Sequence, residues 1–166
     1  AGLRSFDRAM PEEINRVLTD AIADFLFITE ESARQNLLNE GIPAGKIHFS
    51  GNTMIDTLLE FKPKATQSPI LGQVGLAPGS YGLLTLHRPS NVDNPEDLEN
   101  ICRALESVAR KIPLVFPVHP RTAERLHRAG LKLQHLKTLP PLGYLDFLHL
   151  MQHARLVLTD SGGIQE

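Results

Sequence analysis

Three places in the sequence put phosphate- or proton-handling groups where an α/β fold can use them. Residues Leu158-Thr-Asp-Ser-Gly-Gly-Ile-Gln-Glu166 read as a strand end, a Ser161-Gly162-Gly163 turn and the start of a helix. Free backbone N–H groups and the helix dipole at such a junction attract an anion, and glycines let a phosphate approach the main chain. His87-Arg88 follows the apolar run Tyr81-Gly-Leu-Leu-Thr-Leu86. An imidazole beside a guanidinium can neutralise a diphosphate or protonate a departing phosphate; the alternative is a histidine that only hydrogen-bonds its loop. Glu12 and Glu13 follow Pro11 at a helix start. The helix dipole accounts for one acid there, and a second leaves room for a general acid or base.

The remaining candidates have plainer readings. His119 ends a strand in Pro117-Val-His-Pro-Arg121, where the flanking prolines suit either a ligand edge or a fixed turn. His48, His127, His135, His149 and His153 read as structural or solvent-facing. His149 and His153 are four apart, but no carboxylate base lies between them as in a zinc protease helix, so no metal is expected. Asp160 reads as a turn residue and Phe147 as core. Ser161 is not a nucleophile of the Gly-x-Ser-x-Gly kind. Neither a Walker lysine motif nor Gly-x-Gly-x-x-Gly occurs.

Periodicity supplies the elements that position these groups. Ile14, Val17, Leu18, Ala21, Ile22 and Phe25 form the apolar face of a first helix, followed by a short buried strand over residues 25–29. Thr29 is the expected cap of the next helix. A strand over residues 46–50 and a helix over 54–61 come next. Residues 63–80, rich in proline and glycine, read as a linker. Beyond them, strands over 81–87, 113–119, 136–139 and 155–159 alternate with helices, one capped by Asn94 and striped by Leu98, Ile101, Leu105, Val108 and Ile112. This alternation predicts parallel sheets wound by right-handed crossovers, as two doubly wound α/β domains flanking a linker, with a ligand cleft between them.

Composition narrows the function. The 166 residues are 42% hydrophobic with a net charge of −2 and both signs dispersed, which argues against a nucleic-acid or membrane surface built on bulk charge. Tryptophan is absent, which disfavours a stacking platform for single strands. The single cysteine, Cys102, excludes an internal disulfide and suits a reducing, cytoplasmic setting. The last helix has too few residues to bury a face, so the sequence reads as part of a larger protein.

Taken together, Ala1-Gly-Leu-Arg-Ser5, Pro11-Glu-Glu-Ile-Asn-Arg16, Ser50-Gly-Asn-Thr-Met-Ile-Asp56, His87-Arg88, Pro117-Val-His-Pro120 and Leu158-Thr-Asp-Ser-Gly-Gly-Ile-Gln-Glu166 resemble the non-hydrolysing UDP-N-acetylglucosamine 2-epimerases, in the family's order and over the whole chain. The resemblance implies two Rossmann-like domains facing a cleft, the glycosyltransferase-B arrangement, both incomplete here. Residues 1–62 would be the C-terminal part of the first and 81–166 the N-terminal part of the second, UDP-binding domain. It implies reversible epimerisation of UDP-N-acetylglucosamine to UDP-N-acetylmannosamine, supplying surface polysaccharides, by a homodimeric protein at full length. Glu12 then matches the catalytic glutamate of Pro-Glu-Glu, and His87 the diphosphate histidine, with Arg88 beside it. Ser161, Gly162 and Gly163 match the phosphate cradle, and Phe147 and the Leu142 backbone the uracil site. The family's glutamate before Ala-Gly-Leu-Arg, an upstream aspartate, and the ribose glutamate after Gln-Glu lie outside this sequence. One departure stands out: many members carry an acid after His-Arg, where this chain has Pro89-Ser90-Asn91.

The implied route is elimination of UDP from C1 with loss of the C2 proton, then re-addition with protonation on the other face. It calls for no nucleotide cofactor and no metal. Three rivals share the architecture: a UDP-sugar glycosyltransferase, a hydrolysing relative releasing free sugar, and a non-catalytic nucleotide-sugar binding fragment.

Overall fold

The structure is a computed structural model that describes residues 1–165. The chain forms two compact units, Ala1–Thr57 and Leu58–Glu166. The first contains α1 (Pro11–Ile22), β1 (Leu26–Ile28), α2 (Glu31–Asn39), β2 (Ile47–Phe49) and the start of α3 (Thr53–Ala65). β1 and β2 pair in parallel, Leu26 opposite Ile47. Leu26, Ile28, Ala33, Leu37 and Ile47 make the core. Residues 25–29, expected to form a buried strand, are buried on one side only. Their side chains alternate, with Leu26 and Ile28 inside and Phe25 and Phe27 exposed, because successive strand residues face opposite sides. Nor does Thr29 cap α2: the cap position is Glu30, and no side chain closes it.

The extended segment before α1 is fixed by buried charge. Gly2 N donates to Asp20 Oδ2 at 2.8 Å, and Asn36 Nδ2 donates to Gly2 O at 3.0 Å. The Arg4 guanidinium is buried and grips both oxygens of Glu40 at 2.7 Å, with Asp20 at 2.8 Å. Gly2 has φ +76°, and a Cβ there would lie 2.5 Å from the Ala33 carbonyl oxygen, so only glycine fits. The buried residues of α1 are therefore Glu13 and Asp20, which serve this segment, while Ile14, Leu18 and Ile22 are exposed.

In the second unit, four parallel strands stand in the order β5 (Leu136–Leu139), β4 (Leu114–Pro117), β3 (Gly82–Thr85), β6 (Leu156–Thr159). Neighbouring residues on β3 and β4 face opposite sides. Leu84 and Phe116 join Leu98, Cys102, Leu105 and Leu126 on one face. Leu83 and Val115 join Tyr81 and Leu150 on the other. The first face is covered by α6 (Pro95–Ala109) and α7 (Pro120–Arg128), and the second by α4 (Ile70–Val74) and α8 (Tyr144–His153). The unit is thus doubly wound and Rossmann-like, as expected. Asn94 caps α6, its side chain accepting from Glu96 N at 3.0 Å.

Residues 63–80 differ from the expected linker. Helix α3 continues through Pro63 to Ala65, and α4 follows. Ala65, Ile70 and Val74 are buried, the latter two in the Tyr81–Leu150 core. Proline and glycine here break helices without leaving the chain unpacked: Gly75 at φ +65° closes α4.

Candidate active site

Strand order locates the site. In chain order the second sheet reads third, second, first, fourth, so the winding reverses between β3 and β6. In open α/β sheets, ligands bind beyond the carboxyl ends of the strands at this reversal. His87 and Arg88 lie just past β3, and Asp160 to Gly163 just past β6. The two strands pair through Thr85 opposite Thr159, and their hydroxyls lie 2.6 Å apart. Thr159 Oγ1 then accepts from Ser161 N at 3.0 Å, setting the turn into the short helix α9 (Gly162–Gln165). At a helix start, the N–H groups of Gly162 and Gly163 have no intrahelical partner. A Cβ on Gly162 would meet only Arg88 Nη2, at 3.8 Å. Among the described residues Gly162 is thus open, with the Arg88 guanidinium beside it.

Asp160, read from the sequence as a turn residue, joins the two strand ends. Its Oδ2 accepts from His87 N at 2.9 Å, Arg88 N at 2.7 Å and Asn91 Nδ2 at 3.2 Å. Its Oδ1 lies 2.9 Å from His87 Nδ1. Its backbone carbonyl accepts from Arg88 Nε at 2.8 Å. Burial alone would raise its carboxyl, but the N–H groups of Arg88 and His87, the Asn91 amide and the nearby imidazole hold it below the usual range. These contacts also shape α5 (Pro89–Val92), a helical turn with Pro89 in its first position and Val92 buried. No local signal could have marked this role, since the partners lie 72 and 73 residues away in sequence.

Phe147 and Leu142 are half-buried against the Tyr81–Leu150 core. His119, His149 and His153 settle into structural places. His119 Nδ1 accepts from Arg121 N at 3.3 Å and caps α7, which favours the fixed-turn reading. His149 is buried in α8 with its ring 4.5 Å from that of His153. Cys102 is buried, which pushes its thiol up to about 11. Among the described residues, no group of three or more His, Cys, Asp or Glu is placed to hold a metal ion.

In the first unit, Glu12 and Glu13 separate clearly. Glu13 is buried and accepts from Ser5 N at 2.9 Å and Phe6 N at 3.0 Å, with Arg16 at 3.5 Å. The Ser5 N–H, working against burial and helped by Phe6 and Arg16, holds its carboxyl below the usual range. Glu12 is exposed on the first turn of α1. The structural reading of the acid pair therefore belongs to Glu13, and Glu12 is left available for chemistry.

Comparison with known proteins follows the same lines. A family model described as UDP-N-acetylglucosamine 2-epimerase matches residues 1–166. The UDP-N-acetylglucosamine 2-epimerase of Methanocaldococcus jannaschii is 46% identical over all of this chain and 48% of its own length. A UDP-2,3-diacetamido-2,3-dideoxy-D-glucuronate 2-epimerase of Pseudomonas aeruginosa is 47% identical over all of this chain and 46% of its own. The crystal structure of the M. jannaschii UDP-GlcNAc 2-epimerase in complex with UDP-GlcNAc and UDP superimposes with a TM-score of 0.86 at 45% identity, covering 99% of this chain and 48% of that one. The chain thus spans about half the length of the curated relatives it matches.

Proposed function

We infer that this chain, which belongs to the UDP-N-acetylglucosamine 2-epimerase family, is part of an enzyme that inverts C2 of a UDP-linked 2-acetamido sugar, UDP-N-acetylglucosamine in the first instance. The observation that carries this reading is the meeting of His87, Arg88 and the Ser161–Gly163 turn where the second sheet reverses its winding. An imidazole, a guanidinium and unpaired N–H groups on one sheet edge suit the diphosphate of a nucleotide sugar. The first unit would belong to one Rossmann-like domain and the second, which includes residues 63–80, to the other, with the uridine against Phe147 and the Leu142 backbone.

The C2 proton of the sugar has no adjacent carbonyl to make it acidic. Removing it becomes feasible when the C1–O bond to UDP breaks in the same direction. The C–H electron pair then forms the C1=C2 double bond of 2-acetamidoglucal, and the C1–O pair leaves with the diphosphate. Re-addition of UDP at C1, with a proton delivered to the opposite face of C2, gives the manno product. Glu12 serves as an acid or base at C2. His87, Arg88 and the amides of Gly162 and Gly163 stabilise the charge that develops on the leaving diphosphate. We place the enzyme in the cytoplasm, where UDP-sugars are made, and read the full-length protein as a homodimer. Among the described residues, no helix is long and apolar enough to cross a membrane.

A second reading keeps the chemistry and changes the sugar. The Pseudomonas relative named for UDP-2,3-diacetamido-2,3-dideoxy-D-glucuronate is as similar as those named for UDP-N-acetylglucosamine. Incubating the protein at its full natural length with each UDP-sugar in turn, followed by proton NMR, separates them. UDP-ManNAc from UDP-GlcNAc supports the first reading. Turnover of the diacetamido uronate alone supports the second, and free sugar or transfer to an acceptor overturns both.

A further inference from the structure

Asp160 carries a charge that its loop contacts alone do not require. Its side chain is 8% exposed, and burying a carboxylate is costly unless both oxygens find partners. The three donors on Oδ2 shape the turn after β3: the N–H groups of His87 and Arg88 and the Asn91 amide. An asparagine oxygen could accept those bonds equally well. The difference between carboxylate and amide lies at the other oxygen. Oδ1 is sealed from solvent and lies 2.9 Å from His87 Nδ1, off the axis of the ring N–H. As placed, no hydrogen bond joins the two, and the χ2 torsion that orients a histidine ring is a soft one. At Oδ1 a carboxylate accepts a hydrogen bond from Nδ1–H, whereas an amide NH2 would demand a lone pair on Nδ1.

We infer that Asp160 is a positioning residue that grips the His87 imidazole by its Nδ1–H side and so presents Nε2 at the open end of the sheet, beside the glycine turn. The His87 side chain is half exposed, so one ring edge stays free while the other is held. Through its backbone carbonyl the same residue also fixes Arg88 Nε, whose Nη2 lies beside Gly162. One residue, through its carboxylate and its backbone carbonyl, thus sets the orientation of both the imidazole and the guanidinium that would meet a leaving diphosphate. The tautomer of a histidine is set by the partner of its other nitrogen, and a third group that orients the proton-carrying residue is a general feature of such sites. The catalytic consequence rests on the reading given under Proposed function; the tautomer itself does not.

The test uses the full-length protein with 15N-labelled histidine, in the wild type and in Asp160→Asn. In the wild type, the His87 signals should show a protonated Nδ1, both free and with UDP bound. In Asp160→Asn, the preserved acceptor should keep the loop folded, while the neutral ring flips to the Nε2–H tautomer. Turnover should fall at least about tenfold with KM moving much less, and His87→Ala/Asp160→Asn should be no slower than His87→Ala alone. A wild-type His87 with unprotonated Nδ1 overturns the inference without any variant. So does an Asp160→Asn protein with unchanged tautomer and turnover, or an effect that adds fully to His87→Ala. If the wild type binds UDP and shows the expected tautomer but epimerises no UDP-sugar, the functional reading fails and the positioning of His87 stands.

Discussion

Two adjacent glutamates show what a single residue's surroundings decide. Glu13 closes the Ser5–Phe6 turn from inside α1, while Glu12 faces out. Because the Glu13 carboxyl is held below its ordinary value, its contribution to stability is present above that value and is lost as pH falls through the depressed one. Glu13→Gln should therefore lower the melting temperature at neutral pH and flatten the acid limb of the stability curve. Glu12→Gln should leave melting unchanged and depress turnover with little effect on UDP binding. Thermal melts across pH, paired with single-turnover assays, check both; the reverse pattern would exchange the two roles. Gly162 makes a sharper probe of the diphosphate. A side chain there has room within the chain itself, so Gly162→Val should fold normally and lose UDP affinity by calorimetry. Unchanged affinity would remove the turn from the phosphate site. By residue type alone the sequence put forward His87, Glu12 and Ser161–Gly163, and the structure brings the first and the last of these to adjacent strand ends. The sequence hid Asp160, whose meaning depends on which strand lies beside β3.

At the scale of elements, periodicity read the second sheet well, since helix and strand periods differ and each strand is bounded by breakers. It misjudged residues 63–80, because proline and glycine mark where helices turn as readily as where domains part; Pro63 sits inside α3. The pairing of β3 adds a constraint that no pattern reveals. A Cβ on Gly82 would lie 2.7 Å from Leu114 Cδ2 and 2.9 Å from Leu156 Cδ1. Gly82→Ala should therefore destabilise the protein by about 1–3 kcal/mol through overpacking, measured by urea unfolding. A neutral result would mean that the Leu114 and Leu156 side chains move aside at no cost. Helix α8 carries a pH-sensitive group. Burial, with His153 adding to it against the Ala65 carbonyl and Asp146, pushes the His149 imidazole below its usual 6.5. A lowered histidine favours the fold above that value and costs stability as pH falls below it. His149→Leu should then shrink the drop in melting temperature between about pH 7.5 and about pH 5.5; an undiminished drop would place the sensitivity elsewhere.

For the whole molecule, the proposed function requires an acid or base at C2 and a set of donors at the leaving diphosphate. The claim that links them is mechanistic: inversion at C2 proceeds by loss and return of the C2 proton with breakage of the C1–O bond. Related architectures would do otherwise. A glycosyltransferase would break C1–O and leave C2–H intact, and a hydrolase would release the sugar. The most direct test is to incubate the full-length protein with UDP-N-acetylglucosamine in deuterium oxide and read C2 by NMR and mass spectrometry. The account predicts UDP-N-acetylmannosamine carrying one deuterium at C2, with label also entering the recovered UDP-N-acetylglucosamine. Inversion that retains the original hydrogen at C2, or no exchange while free sugar accumulates, would contradict it.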